Sequence, residues 1–215
     1  MHILQKSKSL LVGLAVLAMT LSSGLVHAVP IAAITSFTGG GNINTGGSDL
    51  PRTVGWSFSI TNSIEVTSLG FWDDSLDGLV AAHDVGIWTD TGTLLSSTTI
   101  LSGAGSALIG EFRYEAIAPL LLGPGSYVIG ANIPINADNY RFNPSSVTTA
   151  SDITFGNGIR SSANSGFAFP SLDANTGRIG PNFLFEAADV PEPSTLALLC
   201  VGLVAGSAVR RRTQN

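Results

Sequence analysis

The chain has one cysteine and three histidines, and between residues 29 and 189 it has no lysine. Each scarcity excludes chemistry. Cys200 lies in an uncharged C-terminal run. The segment 29–189 therefore has no disulfide, no thiolate nucleophile and no cysteine-based metal site. His2 and His27 precede residue 29, which leaves His83 alone in the segment. A multi-histidine metal centre cannot be built from it. The lack of lysine removes Schiff-base catalysis, a phosphate-loop lysine and Lys–Asn cross-links. Cations are few as well. Fourteen acidic residues face five arginines (Arg52, Arg113, Arg141, Arg160, Arg178), a net of −9 against −5 for the whole chain. Such a body repels phosphate backbones, which argues against a nucleic-acid partner.

What is present is unevenly placed. All ten Phe, three Trp and three Tyr fall in 29–189, while the two ends carry uncharged apolar runs. At the N-terminus, Lys6 and Lys8 precede an apolar run from Leu10, and Val26-His27-Ala28 follows. A basic region, a short apolar stretch and a small-x-small site form the pattern of a secretory signal peptide. Residues 1–28 are therefore expected to be a signal helix. Signal peptidase is expected to cut after Ala28, leaving Val29 as the first residue.

At the C-terminus, Val190-Pro191-Glu192-Pro193-Ser194 precedes the uncharged run 195–209 and then Arg210-Arg211-Arg212. As a helix the run is about 22 Å long, short against a hydrocarbon core of about 30 Å. It is expected to form a brief transmembrane anchor helped by snorkelling arginines. Arg210, Arg211 and Arg212 would stay cytoplasmic and orient it, placing the body beyond the inner membrane.

These tail residues resemble the PEP-CTERM sorting signal, with Pro191, Glu192 and Pro193 at the motif positions. The family occurs on exported proteins of Gram-negative bacteria that make exopolysaccharide. The resemblance implies recognition and cleavage by an exosortase, a membrane-embedded cysteine peptidase. It also implies a transient inner-membrane anchor, then a place at the cell surface or outside the cell, with a link to exopolysaccharide and biofilm. A permanent tail anchor would share the topology and differ only in processing. The expected organisation is signal peptide 1–28, exported body 29–189 and sorting signal 190–215.

The body alternates with period two. In Arg52–Ile60, Val54, Trp56, Phe58 and Ile60 share one face, and Thr53, Gly55, Ser57 and Ser59 the other. That is a strand with one dry face. Ile64–Trp72 and His83–Thr89 read likewise, and Thr91-Gly92 turns the latter into Thr93–Ile100. Phe112–Ile117, Leu120–Leu122 and Ser126–Asn132 follow, the last two around Gly123-Pro124-Gly125. Weaker strands are expected near Ile153–Phe155, Phe167–Phe169 and Asn182–Glu186, and a flexible loop at Thr38–Ser48. Short strands with Gly, Pro and Asn punctuation and no amphipathic helix indicate an all-β, antiparallel β-sandwich of jelly-roll or Ig-like type. The stretches GWSFSI, VTSLGFWDDSLDGL, HDVGIW and EFRYEAIAPLLLGPGSYVIGA are similar to an uncharacterised β-rich domain often found ahead of PEP-CTERM tails. That similarity implies fold and context, and no chemistry.

One acidic stretch invites a site. Counted from Asp73, a calcium loop of EF-hand type would take oxygens from Asp73, Ser75 and Asp77, the carbonyl of Leu79, and Asp84 at position twelve, around Gly78. Asp84 is shorter than the usual Glu, and the flanks are strands. The competing reading is a solvated acidic turn, since Asp, Ser and Gly are turn formers. His83 and Asp84 are neighbours on a strand and point to opposite faces, so they cannot form a catalytic pair. No Gly-x-Ser-x-Gly elbow occurs. Trp72 and Trp88 read either as core residues or as sugar-stacking platforms. The body is therefore expected to be non-enzymatic and without a resident cofactor. A calcium-dependent carbohydrate-binding module is the alternative. Carboxylate-pair glycosidase chemistry rests on spatial spacing that a sequence does not give. Ice binding would need flat Thr-rich repeats, which the sequence lacks.

Overall fold

The computed structural model describes residues 29–43, 51–136, 138–173 and 175–188. The expected signal helix, the anchor helix at 195–209, Ala28, the Pro191-Glu192-Pro193 motif and Arg210–Arg212 lie outside the described residues. Among the described residues every pairing is antiparallel and no helix occurs. The strands are β1 (Ile31–Ala32), β2 (Ile34–Thr38), β3 (Gly41–Ile43), β4 (Arg52–Ile60), β5 (Ile64–Trp72), β6 (His83–Thr89), β7 (Leu94–Ile100) and β8 (Ala107–Ile109). They continue as β9 (Phe112–Leu122), β10 (Gly125–Ile133), β11 (Tyr140–Phe142), β12 (Ser146–Thr149), β13 (Ile153–Arg160), β14 (Leu172–Asp173), β15 (Arg178–Ile179) and β16 (Pro181–Ala187).

Two large sheets carry the core, in the orders β1-β16-β5-β9-β8 and β14-β13-β4-β10-β6-β7. Two smaller ones, β15-β11-β3 and β12-β2, flank them. The alternation in β4 explains why the large sheets meet. Val54, Trp56, Phe58 and Ile60 are all buried, as expected of a dry face. Across the gap, Phe183 of β16 lies 5.9 Å from the Trp56 ring and 5.0 Å from Phe58. Trp56 Nε1 also donates to the Pro181 carbonyl at 2.8 Å, so the indole has a buried partner for its one polar group.

β5 shows how a broken period is still one strand. Ile64 and Val66 point into the core, and so do Leu69 and Phe71, which are out of phase with them. The register shifts between Val66 and Ser68 in the pairing with β9, and between Leu184 and Phe185 in the pairing with β16. A β-bulge at Thr67 adds one residue and flips the phase. On the far side of the same irregularity, the expected strands Phe112–Ile117 and Leu120–Leu122 are one strand, β9.

Two expectations change. Gly41–Ile43, inside the expected loop 38–48, is strand β3 and pairs with β11. Phe167–Phe169 is not a strand. The segment 161–171 instead crosses the outer face of the six-stranded sheet and buries Thr53, which the alternation alone assigns to solvent. Thr53 Oγ1 donates to Gly166 O at 3.0 Å and accepts from Ala168 N at 2.9 Å. Phe167 and Phe169 then cover Trp88 at ring distances of 5.2 and 6.3 Å. The sheet makes room with glycine: Gly130 is paired to Gly55 on one side and to Gly86 on the other. A Cβ at Gly130 would sit 2.6 Å from Thr53 Cγ2, and one at Gly86 2.9 Å from Phe167 Cζ.

Candidate functional site

The acidic stretch after β5 folds as a turn tied down by side chains. Asp73 is 2% exposed and its Oδ2 accepts from Arg113 Nε at 2.7 Å and from Gly78 N at 3.0 Å. Arg113 reaches it from β9, with Nη1 donating to the carbonyls of Ala104 at 3.0 Å and Ser106 at 3.3 Å. One guanidinium thus binds the turn to the segment before β8. A planar fork of five donors suits that task better than an ammonium. Leu79 and Gly103 exchange both backbone bonds, at 3.1 and 2.7 Å. Their close approach needs Gly78, whose φ is +111° and whose added Cβ would meet the Gly103 backbone at 2.8 Å.

The five oxygens expected of a calcium loop are not brought together in these bonds. Asp73 Oδ2 accepts from Arg113, and the Leu79 carbonyl accepts from Gly103 N. Ser75 Oγ donates to Asp74 Oδ1 at 3.4 Å, and Asp77 is exposed. Asp84 sits on β6 and accepts from Thr99 Oγ1 on β7 at 2.6 Å. Among the described residues no group of three or more His, Cys, Asp or Glu side chains converges as a metal site. The repulsion that a cation would relieve is met at Asp73 by Arg113. Trp72 and Trp88 are 3% and 4% exposed, so they are core residues and present no sugar-stacking face.

His83 has an acidic partner, and it is not Asp84. Its Nε2 lies 2.9 Å from Asp138 Oδ2, and its Nδ1 2.8 Å from the Asn132 carbonyl. The ring is fully buried and stacks on Phe71 at 3.7 Å. Both nitrogens lie within hydrogen-bond distance of these oxygens, so the ring is held from both sides. Asp138 also accepts from Val80 N at 2.8 Å and Ala81 N at 3.0 Å. Burial alone would raise the Asp138 pKa. The hydrogen bonds from His83, Val80 and Ala81 and the histidine charge outweigh it, and the net shift is downward. This cluster closes the acidic turn onto the loop after β10. With both ring nitrogens occupied, His83 has none left to activate a nucleophile.

The second feature is an open groove of about 510 Å³ between the β13 bulge and the segment joining β11 to β12. The register of β13 shifts between Phe155 and Gly158, so Gly156 and Asn157 together oppose Ser57. Ser57 Oγ accepts from Asn157 N at 3.0 Å and fixes the bulge. Neither the groove nor the His83–Asp138 pair carried a signal in the sequence, because each joins residues far apart along the chain.

At the ends of the body the geometry is simple. β16 runs between β1 and β5, with Ile31 paired to Phe185. Ala188 N still donates to Ser63 O at 3.2 Å, so the body's hydrogen bonding reaches the residue before the tail. An all-β body running directly into a Pro-Glu-Pro motif, an uncharged stretch and an arginine cluster defines a protein addressed by its C-terminus. Comparison with family models identifies that address: the PEP-CTERM protein-sorting motif matches residues 189–212. The chain thus carries a PEP-CTERM signal, which implies export, a transient membrane anchor before processing, and an exosortase as the processing partner. No curated protein matches the chain.

Proposed function

We propose that this is a non-enzymatic exported protein whose body is a β-sandwich held at the cell surface or in the extracellular matrix, in association with exopolysaccharide. Signal peptidase removes residues 1–28 after Ala28. Exosortase then acts on the tail at Pro191-Glu192-Pro193, after Arg210–Arg212 have oriented the anchor. The observation that carries this reading is the sorting motif at 189–212. The body supports it: His83 is enclosed between Asn132 and Asp138, and the large sheets face one another through Trp56, Phe58 and Phe183. Calcium-dependent glycan binding through Asp73, Ser75, Asp77, Leu79 and Asp84 lacks comparable support, since Asp73 and Leu79 already have partners.

Intact mass spectrometry of the protein from its native cells tests the proposal at both ends. The expected mature form begins at Val29 and lacks Leu196–Arg212. A surface form that retains Leu196–Arg212 would overturn processing by exosortase, and a form that retains residues 1–28 would overturn export by a cleaved signal.

A further inference from the structure

We propose that the groove beside the β13 bulge is a binding site for a neutral oligosaccharide. The inference deepens the reading of the body as an exopolysaccharide-associated module and rests on it for the source of the ligand. Three observations on the groove itself give the chemistry.

The first is the character of the polar lining. Asn143, Ser145, Ser146 and Asn157 line the groove, all four are exposed, and none of their side chains hydrogen-bonds to another described residue, the bonds of Asn157 to Ser57 being made by its backbone. A carboxamide offers two donors and an acceptor, and a hydroxyl offers one donor and two lone pairs. A run of sugar hydroxyls, each both donor and acceptor, is complementary to such a set. The second is the ring. Phe155 lines the groove and is half-buried, its ring stacked on Trp56 at 5.5 Å and 22°. An aromatic surface with a few placed polar groups is the usual composition of a small-ligand site, and the volume falls within the usual range of roughly 300–1,000 Å³.

The third is charge. Among the described residues that line the groove none is Asp, Glu, Arg or Lys, although the body holds fourteen acids. A net charge of −9 disfavours a uronate or sulfated chain on approach. Neutral lining in an acidic body selects an uncharged glycan.

The groove is also held in shape before a ligand arrives. Asn143 has φ +50° and donates its N–H to Gly177 O at 3.0 Å. Thr176 Oγ1 donates to the Pro144 carbonyl at 3.3 Å. Gly177 lets Pro144 lie close, since a Cβ there would stand 2.8 Å from Pro144 Cγ. The opposite wall is fixed by Ser57 on the bulge. A preformed wall lowers the ordering cost of binding.

The test is titration calorimetry on the full chain in a detergent without a sugar headgroup. The probes are neutral gluco-, manno- and galacto-hexaoses, an oligouronate of the same length and an uncharged peptide. The expected result is saturable binding of at least one neutral hexaose, with the oligouronate weaker by about tenfold or more. Asn143→Gly/Asn157→Ala should weaken that binding by about tenfold, the loss of two neutral hydrogen bonds, at an unchanged melting temperature, because glycine adopts the φ of +50° at 143 without strain. Both residues are exposed, so the double variant keeps the core intact. Three outcomes would overturn the groove assignment: no neutral hexaose saturates, the double variant binds as well as the parent, or the peptide competes for the site. Failure here with a correctly processed mature form by mass spectrometry removes the groove and leaves the sorting reading standing.

Discussion

Arg113 and Asp73 form an ion pair at 2.7 Å with side chains 5% and 2% exposed, 40 residues apart in sequence. A pair this buried stands or falls as a unit. Removing one partner leaves an uncompensated charge in low dielectric.

Arg113→Met is therefore expected to destabilise the protein by about 3–5 kcal/mol, because Asp73 loses its counter-charge. Asp73→Asn should cost less, since the amide still accepts from Gly78 N. Chemical denaturation of both variants and of the double variant gives the coupling energy. A double variant no better than the sum of the two single losses would contradict a closed pair.

Calcium is expected to leave the stability unchanged. If Arg113 supplies the positive charge at Asp73, millimolar Ca²⁺ adds nothing to the melting temperature, and Asp73→Ala/Asp77→Ala loses the same stability with or without chelator. A melting temperature that rises with Ca²⁺ in the parent and not in the double variant would restore the calcium loop.

The Asp138 cluster predicts an acid limb. Asp138 has a lowered pKa in the folded protein, so the unfolded chain binds its proton more readily. Stability from this group is then complete above the unfolded aspartate value of about 3.9, and is lost as pH falls through the lower folded value. Asp138→Asn should cost about 2 kcal/mol at neutral pH through the weakened bonds from His83, Val80 and Ala81. It should also flatten the stability profile on the acid side. Melting curves from pH 7 to 2 measure both effects, and parallel profiles for parent and variant would rule the cluster out as their source.

The glycine row predicts an intolerant position. A Cβ at Gly55 would run into the Ile129 carbonyl oxygen, which belongs to rigid sheet backbone. Gly55→Ala is expected to cost about 2–3 kcal/mol or more, as overpacking does where the backbone must yield. Gly103, with open space around it, should show only the penalty of its φ of +85°. Comparing the two alanine variants by thermal unfolding separates steric contact from backbone conformation.

The long strands were legible because their signal is local. β4, β5 and β6 have the bounds that alternation and turn residues assign, even though the Thr67 bulge inverts the phase of β5. Strands of two or three residues, such as β1, β14 and β15, have no period to read. Their pairing is set by the large sheets they join. The tail was legible for a different reason: it is a linear motif meant for an enzyme, so it does not depend on folding. The pairs Arg113–Asp73 and His83–Asp138 were hidden because fourteen acids offer many partners and only the three-dimensional path selects among them. The strap 161–171 carries the apolar spacing of a strand at Phe167–Phe169, and that spacing alone does not distinguish a pleat from a loop that lays two rings on Trp88.

The neighbourhood of β1 and β16 sets an order of events. A chain crossing the membrane from its N-terminus delivers β1 first and β16 last, yet each completes the same sheet. Residue 187 must emerge before β5 gains its second neighbour and before Phe183 can cap Trp56. The peptidase motif begins only a few positions later. If the tail is cut after export from the N-terminus, the last strand to pair and the motif at 189–212 leave the translocation path almost together.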